Sequence, residues 1–212
     1  MLQTHRRSDR DLIVEDLVYT VGHSNWPLER FLGLVKQHAI TAIADVRSQP
    51  YSRFNPQFNR ENLTMSLREA GLRYVFLGKE LGARVSDLSC YRDGKVQYEL
   101  VAKTDNFRVG IDRVLKGIRS HRVALLCAEK DPLACHRAIL IARYLRELNV
   151  AVRHILQDGT IEDHDASVAR LVELLRIPGG DLFKSKSEVI STAYAVQAER
   201  IAFSEDRIPK PA

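Results

Sequence analysis

Short apolar runs alternate with amphipathic stretches along most of this chain, and that alternation limits its folds more than any other feature. "LVYTVG", "ITAIADV", "RYVFLG", "RVALLC" and "VAVRHIL" are brief, β-branched and almost continuously apolar. Between them, "PLERFLGLVKQH" places Leu28, Phe31, Leu32 and Val35 at helical spacing, and "RENLTMSLREAG" reads as a helix stopped by Gly71. "NFRVGIDRVLKGIRS" and "PLACHRAILIARYLREL" supply two more helices. Strands without polar alternation are buried on both faces, so the pattern predicts a mainly parallel five-stranded sheet flanked by helices.

A polar lead-in is expected over residues 1–17, an α/β core over 18–158 and a helical C-terminal extension over 159–212, packed on the core. The stretch 84–105 is polar and reads as a loop or lid with one short helix. A length of 212 residues suffices for one sizeable core. No stretch approaches the roughly 18 apolar residues of a membrane span, and "MLQTHRRSDRDLIVED" has no signal-peptide pattern. A cytoplasmic protein with no membrane partner is the expectation. The net charge of +5 tilts the surface toward anionic partners.

In open parallel sheets, ligands sit beyond the carboxyl ends of the strands. Polar groups gather at those ends here. The first strand runs into Gly22-His23-Ser24-Asn25, the second into Asp45-Val46-Arg47 and the fourth into Cys127-Ala128-Glu129. After Asp45 comes "DVRSQPYSRFNPQFN", in which Arg47, Arg53 and Arg60 interleave with Tyr51, Phe54 and Phe58. Arginine offers a planar fork of donors suited to phosphate, and aromatic faces stack on bases. The plainer alternative is an Asp-Arg pair pinning a proline-rich loop.

Asp131 and Pro132 have the residue types of a helix cap and first turn, so a helix is expected to start there and to present His136 and Arg137 to the site. A thiol mechanism at Cys127 is the less favoured reading. In a Cys-x5-Arg loop the arginine follows by six residues, and that position is Leu133. Nor do Cys127, Cys135, His136 and His23 contain the short Cys-x-x-Cys pair common in zinc sites, so no metal and no cofactor is predicted.

Several stretches, in order, carry a resemblance: "TVGHSN", "DVRSQPYSRFNPQFN", "YVFLGKELG", "LLCAEKDPLACHR", "HIL" and the tail "GDLFKSKSEVISTAYAVQAERIAF". Over about residues 18–203 the chain resembles domain-of-unknown-function family 488. The resemblance implies a Rossmann-like α/β domain and carries no activity with it. The site expected from position alone gathers His23, Ser24, Asn25, Asp45, Arg47, Arg53, Glu129, His136 and Arg137. In that reading Arg47, Arg53 and Arg137, with Ser24 and Asn25, hold a phosphate-bearing small molecule or a nucleic acid. Glu129 or Asp45 acts as acid or base, and His23 or His136 moves a proton. A non-catalytic nucleic-acid-binding module and a metal- or thiol-dependent protein are the alternatives.

Overall fold

A computed structural model describes residues 16–177 and 185–204. The lead-in over 1–15 and parts of the C-terminal extension lie outside the described residues. In chain order the elements are β1 (Leu17–Gly22), α1 (Leu28–Gln37), β2 (Ala42–Asp45), α2 (Arg60–Glu69), β3 (Arg73–Phe76) and α3 (Gly78–Leu81). Next come a small hairpin of β4 (Tyr91–Arg92) and β5 (Lys95–Val96), then α4 (Tyr98–Val101), α5 (Asp105–Ile118) and β6 (Val123–Cys127). A wide π-helical stretch, Arg137–Ala142, leads into α6 (Arg143–Glu147). It is followed by β7 (Ala151–Ile155), β8 (Ile161–Asp163), α7 (His164–Leu174) and α8 (Lys186–Ile201).

The main sheet has six strands in the order β3-β2-β6-β1-β7-β8, all parallel except β8, which runs antiparallel to β7. It is a Rossmann-like α/β sheet with one strand more than the five expected from the apolar runs. The extra strand is "IED" just after Gly159, where a helical extension was expected to begin. Its Ile161 and Asp163 are exposed, so it lacks the apolar signal of a buried strand and exists through its pairing with β7.

Side chains alternate across the sheet and divide the core in two. Tyr19, Val21, Ile43, Ala124 and Leu126 pack against Phe31, Leu34 and Val35 of α1 and Leu63 and Leu67 of α2. Val18, Ala42, Ala44, Val123, Leu125 and Cys127 face the other way, toward Phe107 and Ile111 of α5, Ile139, Leu145 of α6, and Ala193 of α8. The helices after β1 and β2 thus cover one face, and those before and after β6 cover the other. β6 lies between β1 and β2, so the winding direction reverses at its edges. A crevice forms at such a switch point, beyond the carboxyl ends of the strands.

The 84–105 stretch contains the expected short helix, α4, together with the hairpin, and Val96 and Tyr98 are buried in the second core layer. α8 begins with a capping box: the Ser185 side chain accepts from the Glu188 amide, and the Glu188 side chain reaches back to the Ser185 amide.

Candidate functional site

At the switch point a cleft of about 390 Å³ is lined by Arg47, Ser48, Gln49 and Tyr51 after β2, by Ala83 and Arg84, by Cys127, Ala128, Glu129 and His136, and by Ile201 and Phe203. Four separate regions of sequence meet there. The loop after β2 is drawn down onto α3, because Gly78 has no side chain. A Cβ at Gly78 would stand 2.0 Å from the Arg47 carbonyl oxygen. On the opposite wall, Gly22 lets the end of β1 approach the loop after β6.

Asp45 is fully buried and accepts from the Arg47 amide (3.1 Å), Arg47 Nε (2.8 Å), Arg47 Nη2 (2.6 Å) and the Tyr74 hydroxyl (2.8 Å). Its oxygens are saturated, which makes it the anchor of Arg47 rather than a group open to the cleft. Arg47 also donates to the Phe58 carbonyl and to His23 Nε2. Of its five N–H bonds, one on Nη1 is left over for a ligand. His23 stacks on Phe58 at 4.2 Å and sits behind Arg47. Burial and the neighbouring guanidinium lower its pKa to about 4, so it is neutral and accepts from Arg47.

Ser24 and Asn25 lie in the turn after β1 and do not line the cleft. The Ser24 amide donates to the Ala128 carbonyl, tying the two loops together. Arg53 is exposed on the proline-rich loop, its guanidinium 4.7 Å above the Phe54 ring. The sequence therefore identified Arg47, Glu129 and His136 among the cleft residues, whereas the structure puts the other positions behind or beside it.

Arg137 differs most from its expected place. It is fully buried, with Nη1 donating to the Glu129 carbonyl (2.8 Å) and Nη2 to that of Lys130 (3.3 Å). It holds the loop after β6 from beneath and does not reach the cleft. The reason is that no helix starts at Asp131. Asp131 caps only a three-residue 3₁₀ turn, Pro132–Ala134, by accepting from the Leu133 amide. Cys135 is then extended, at φ −141° and ψ 145°, and the wide helix starts after it. Arg170 of α7 clamps the turn by donating to both Asp131 and Glu162.

The cleft floor is a cluster of thiols, imidazole and carboxylate. Cys127 Sγ donates to Glu129 Oε2 at 2.9 Å. His136 Nδ1 lies 3.7 Å from Cys127 Sγ and 3.6 Å from Cys135 Sγ, while His136 Nε2 meets the Val46 carbonyl at 3.1 Å. Burial and Cys135 push the Cys127 thiol well above its usual value. Burial opposes the charge on Glu129, but hydrogen bonds from both thiols outweigh it and hold the carboxyl below its ordinary value. Burial also opposes a charge on His136, yet Cys127, Glu129 and the Val46 carbonyl raise its pKa.

Arg84 and Phe203 were not foreseen. Arg84 donates to Gln49 Oε1 at 2.7 Å and lies 4.6 Å above the Phe203 ring, with no carboxylate bound to it among the described residues. Arg84 opens the polar stretch that carries no periodic signal, and Phe203 lies at the far end of the chain. Only their joint packing marks them.

Gly22 provides a test of how closely the walls are set. A Cβ there would stand 1.8 Å from the Glu129 carbonyl oxygen, a backbone atom that cannot swing aside. Gly22→Ala is expected to cost about 1–3 kcal/mol by overpacking. Urea denaturation measures this, and an unchanged midpoint would mean that the loop after β6 is not held where the structure has it.

Fold and cleft together define a doubly wound, Rossmann-like α/β protein with a polar cleft at its switch point. Residues 27–145 match the model of the family described as domain of unknown function DUF488. This is more than half of the 212 residues, and the chain belongs to that family. No curated protein and no solved structure matches it. No described helix is long and apolar enough to cross a membrane.

Proposed function

We propose that the cleft binds a phosphate-bearing ligand, a nucleotide or a nucleic-acid end, and acts on it with Glu129 as the acid–base group. The observation that carries this reading is the placement of cations. Arg84 faces the cleft and Arg137 lies beneath its floor, and neither is bonded to a carboxylate among the described residues. Arg84, the spare N–H of Arg47 and the Ser48 hydroxyl offer donors to phosphoryl oxygens. Phe203 and Tyr51 offer ring faces to a base or sugar. Glu129 stays ionised and takes a proton from the attacking group. His136 has spent Nε2 on Val46 and turns Nδ1 toward the thiols, so it shapes the floor.

Native mass spectrometry of freshly purified protein, with a thermal-shift panel of nucleotides and short oligonucleotides, tests the reading. A member of the panel should bind, and Arg84→Ala should weaken it about tenfold or more, the worth of a charge-assisted hydrogen bond. Glu129→Gln should leave binding intact while the bound ligand is no longer converted. No binding across the panel by folded wild-type protein would sink the proposal.

A second reading rests on the loop after β2, where Tyr51 and Phe54 are 58% and 77% exposed beside Arg53. Exposed aromatics interleaved with arginine suit a single strand of nucleic acid held without chemistry. That reading requires affinity to fall steeply with salt and to be indifferent to Glu129→Gln.

A further inference from the structure

We infer that Cys127, Cys135 and His136 form a binding site for a thiophilic divalent cation, zinc above all, at the floor of the cleft. Their ligand atoms all lie within 4.8 Å of one another, and all three residues are buried. Zinc bonds of about 2.3 Å to sulfur and about 2.05 Å to nitrogen, at the tetrahedral angle, put sulfur and nitrogen about 3.6 Å apart. His136 Nδ1 stands 3.7 Å from one sulfur and 3.6 Å from the other, the spacing that a single ion shared by all three requires.

The surroundings of the three residues support the same assignment. The Val46 carbonyl can only accept a hydrogen bond, so His136 Nε2 carries a proton toward it. In a neutral ring this leaves the Nδ1 lone pair pointing at the sulfurs. A ring nitrogen fixed by a backbone carbonyl while the other ligates is the usual outer support of a metal-bound histidine. The Arg137 amide donates to Cys135 Sγ at 3.4 Å, which orients that sulfur within the cluster. Two thiolates and an imidazole form a soft donor set that favours zinc over magnesium or calcium.

Loading the site with Zn²⁺ releases two thiol protons, and the two thiolates balance the ion's charge. Glu129 Oε2, which accepts from Cys127 Sγ, stands beside the three-ligand set without belonging to it. That leaves a fourth position for water or a ligand, with a carboxylate at hand, the layout of a zinc site built for chemistry rather than for structure. The inference does not depend on the phosphate reading, since metal is retained or not whatever else the cleft binds.

The test uses the full chain, purified without a metal-binding tag. Zinc is measured by inductively coupled plasma mass spectrometry after dialysis, and the apo protein is titrated with Co²⁺. About one zinc per chain is expected, and Co²⁺ should produce a thiolate-to-cobalt charge-transfer band in the near ultraviolet. Cys90→Ser, outside the ligand set, should leave both readouts unchanged, and Cys135→Ser should remove the band. If Cys135→Ser fails to fold, the wild-type and Cys90→Ser spectra still decide. The inference is overturned if folded wild-type protein shows neither metal nor band, if the band survives Cys135→Ser unchanged, or if metal-free protein holds a Cys127–Cys135 disulfide.

Discussion

Arg47→Ala is expected to destabilise the protein by about 3–5 kcal/mol, the usual cost of breaking one side of a buried ion pair. Asp45 lies in β2 with its side chain fully enclosed, and Arg47 supplies three of the four hydrogen bonds it accepts. The alanine variant keeps the backbone amide and the Tyr74 hydroxyl but loses the cation, so a carboxylate stays in the core without its counter-charge. The Phe58 carbonyl and His23 Nε2 lose their donor as well. Arg47→Lys should recover only part of the loss, because one ammonium cannot serve both carboxylate oxygens, Phe58 and His23 at once. Denaturant unfolding of the two variants measures this. Equal stability of wild type and Arg47→Ala would show that the pair does not anchor the loop after β2.

Acid should unfold the protein steeply between about pH 6.5 and pH 4. Thr20 Oγ1 meets His154 Nδ1 at 2.7 Å, His154 Nε2 meets His164 Nδ1 at 2.9 Å, and His164 Nε2 meets the Tyr194 hydroxyl at 2.8 Å. This buried chain joins β1, β7, α7 and α8. Burial, then the charges of His164, Arg137 and Arg170, lower His154 well below its usual value, and burial brings His164 down to about 4. His23 is likewise lowered to about 4.

A histidine whose pKa is lower folded than unfolded contributes fully above the unfolded value of 6.5. As pH falls below that, the unfolded chain takes up protons that the folded one refuses, and stability drops by up to about 1.4 kcal/mol per pH unit for each histidine. With three such residues, a typical 5–15 kcal/mol of stability disappears within a few pH units. His136 has the opposite sign, since its raised pKa favours the folded state at low pH and moderates the slope. His164→Gln keeps a donor and an acceptor but does not titrate, and should reduce proton uptake on unfolding near pH 5 by about one. Denaturant midpoints that stay flat from pH 7 to pH 4.5 would exclude the effect. Because Tyr194 belongs to α8, and Ile201 and Phe203 at its end line the cleft, the cleft wall should loosen first.

The parallel strands and the helices between them were legible because each carries a local signal, an apolar run or helical spacing. β8 was not, since "IED" has no such run and its exposed side chains leave it defined only by hydrogen bonds to β7. Asp131-Pro132 was legible as a cap but not as a cap on a turn of three residues. What stops that turn is the extended backbone at Cys135, which no residue type announces. Arg137 was expected to face the site as a ligand-binding cation because charge is ordinarily solvated; only the two carbonyls that receive it make its burial tolerable.

The sequence by itself determined the class of fold, the edge of the sheet where polar groups collect, and Arg47, Glu129 and His136 as cleft residues. Periodicity and strand ends are local properties, written in neighbouring residues. The tertiary structure alone decided the strand order, with β6 between β1 and β2, and hence where the switch point falls. It alone brought Arg84 and Phe203 to the loop after β2, and the two thiols to one imidazole. Such meetings depend on crossovers between strands far apart in the chain, and spacing in a sequence carries no measure of distance across a sheet.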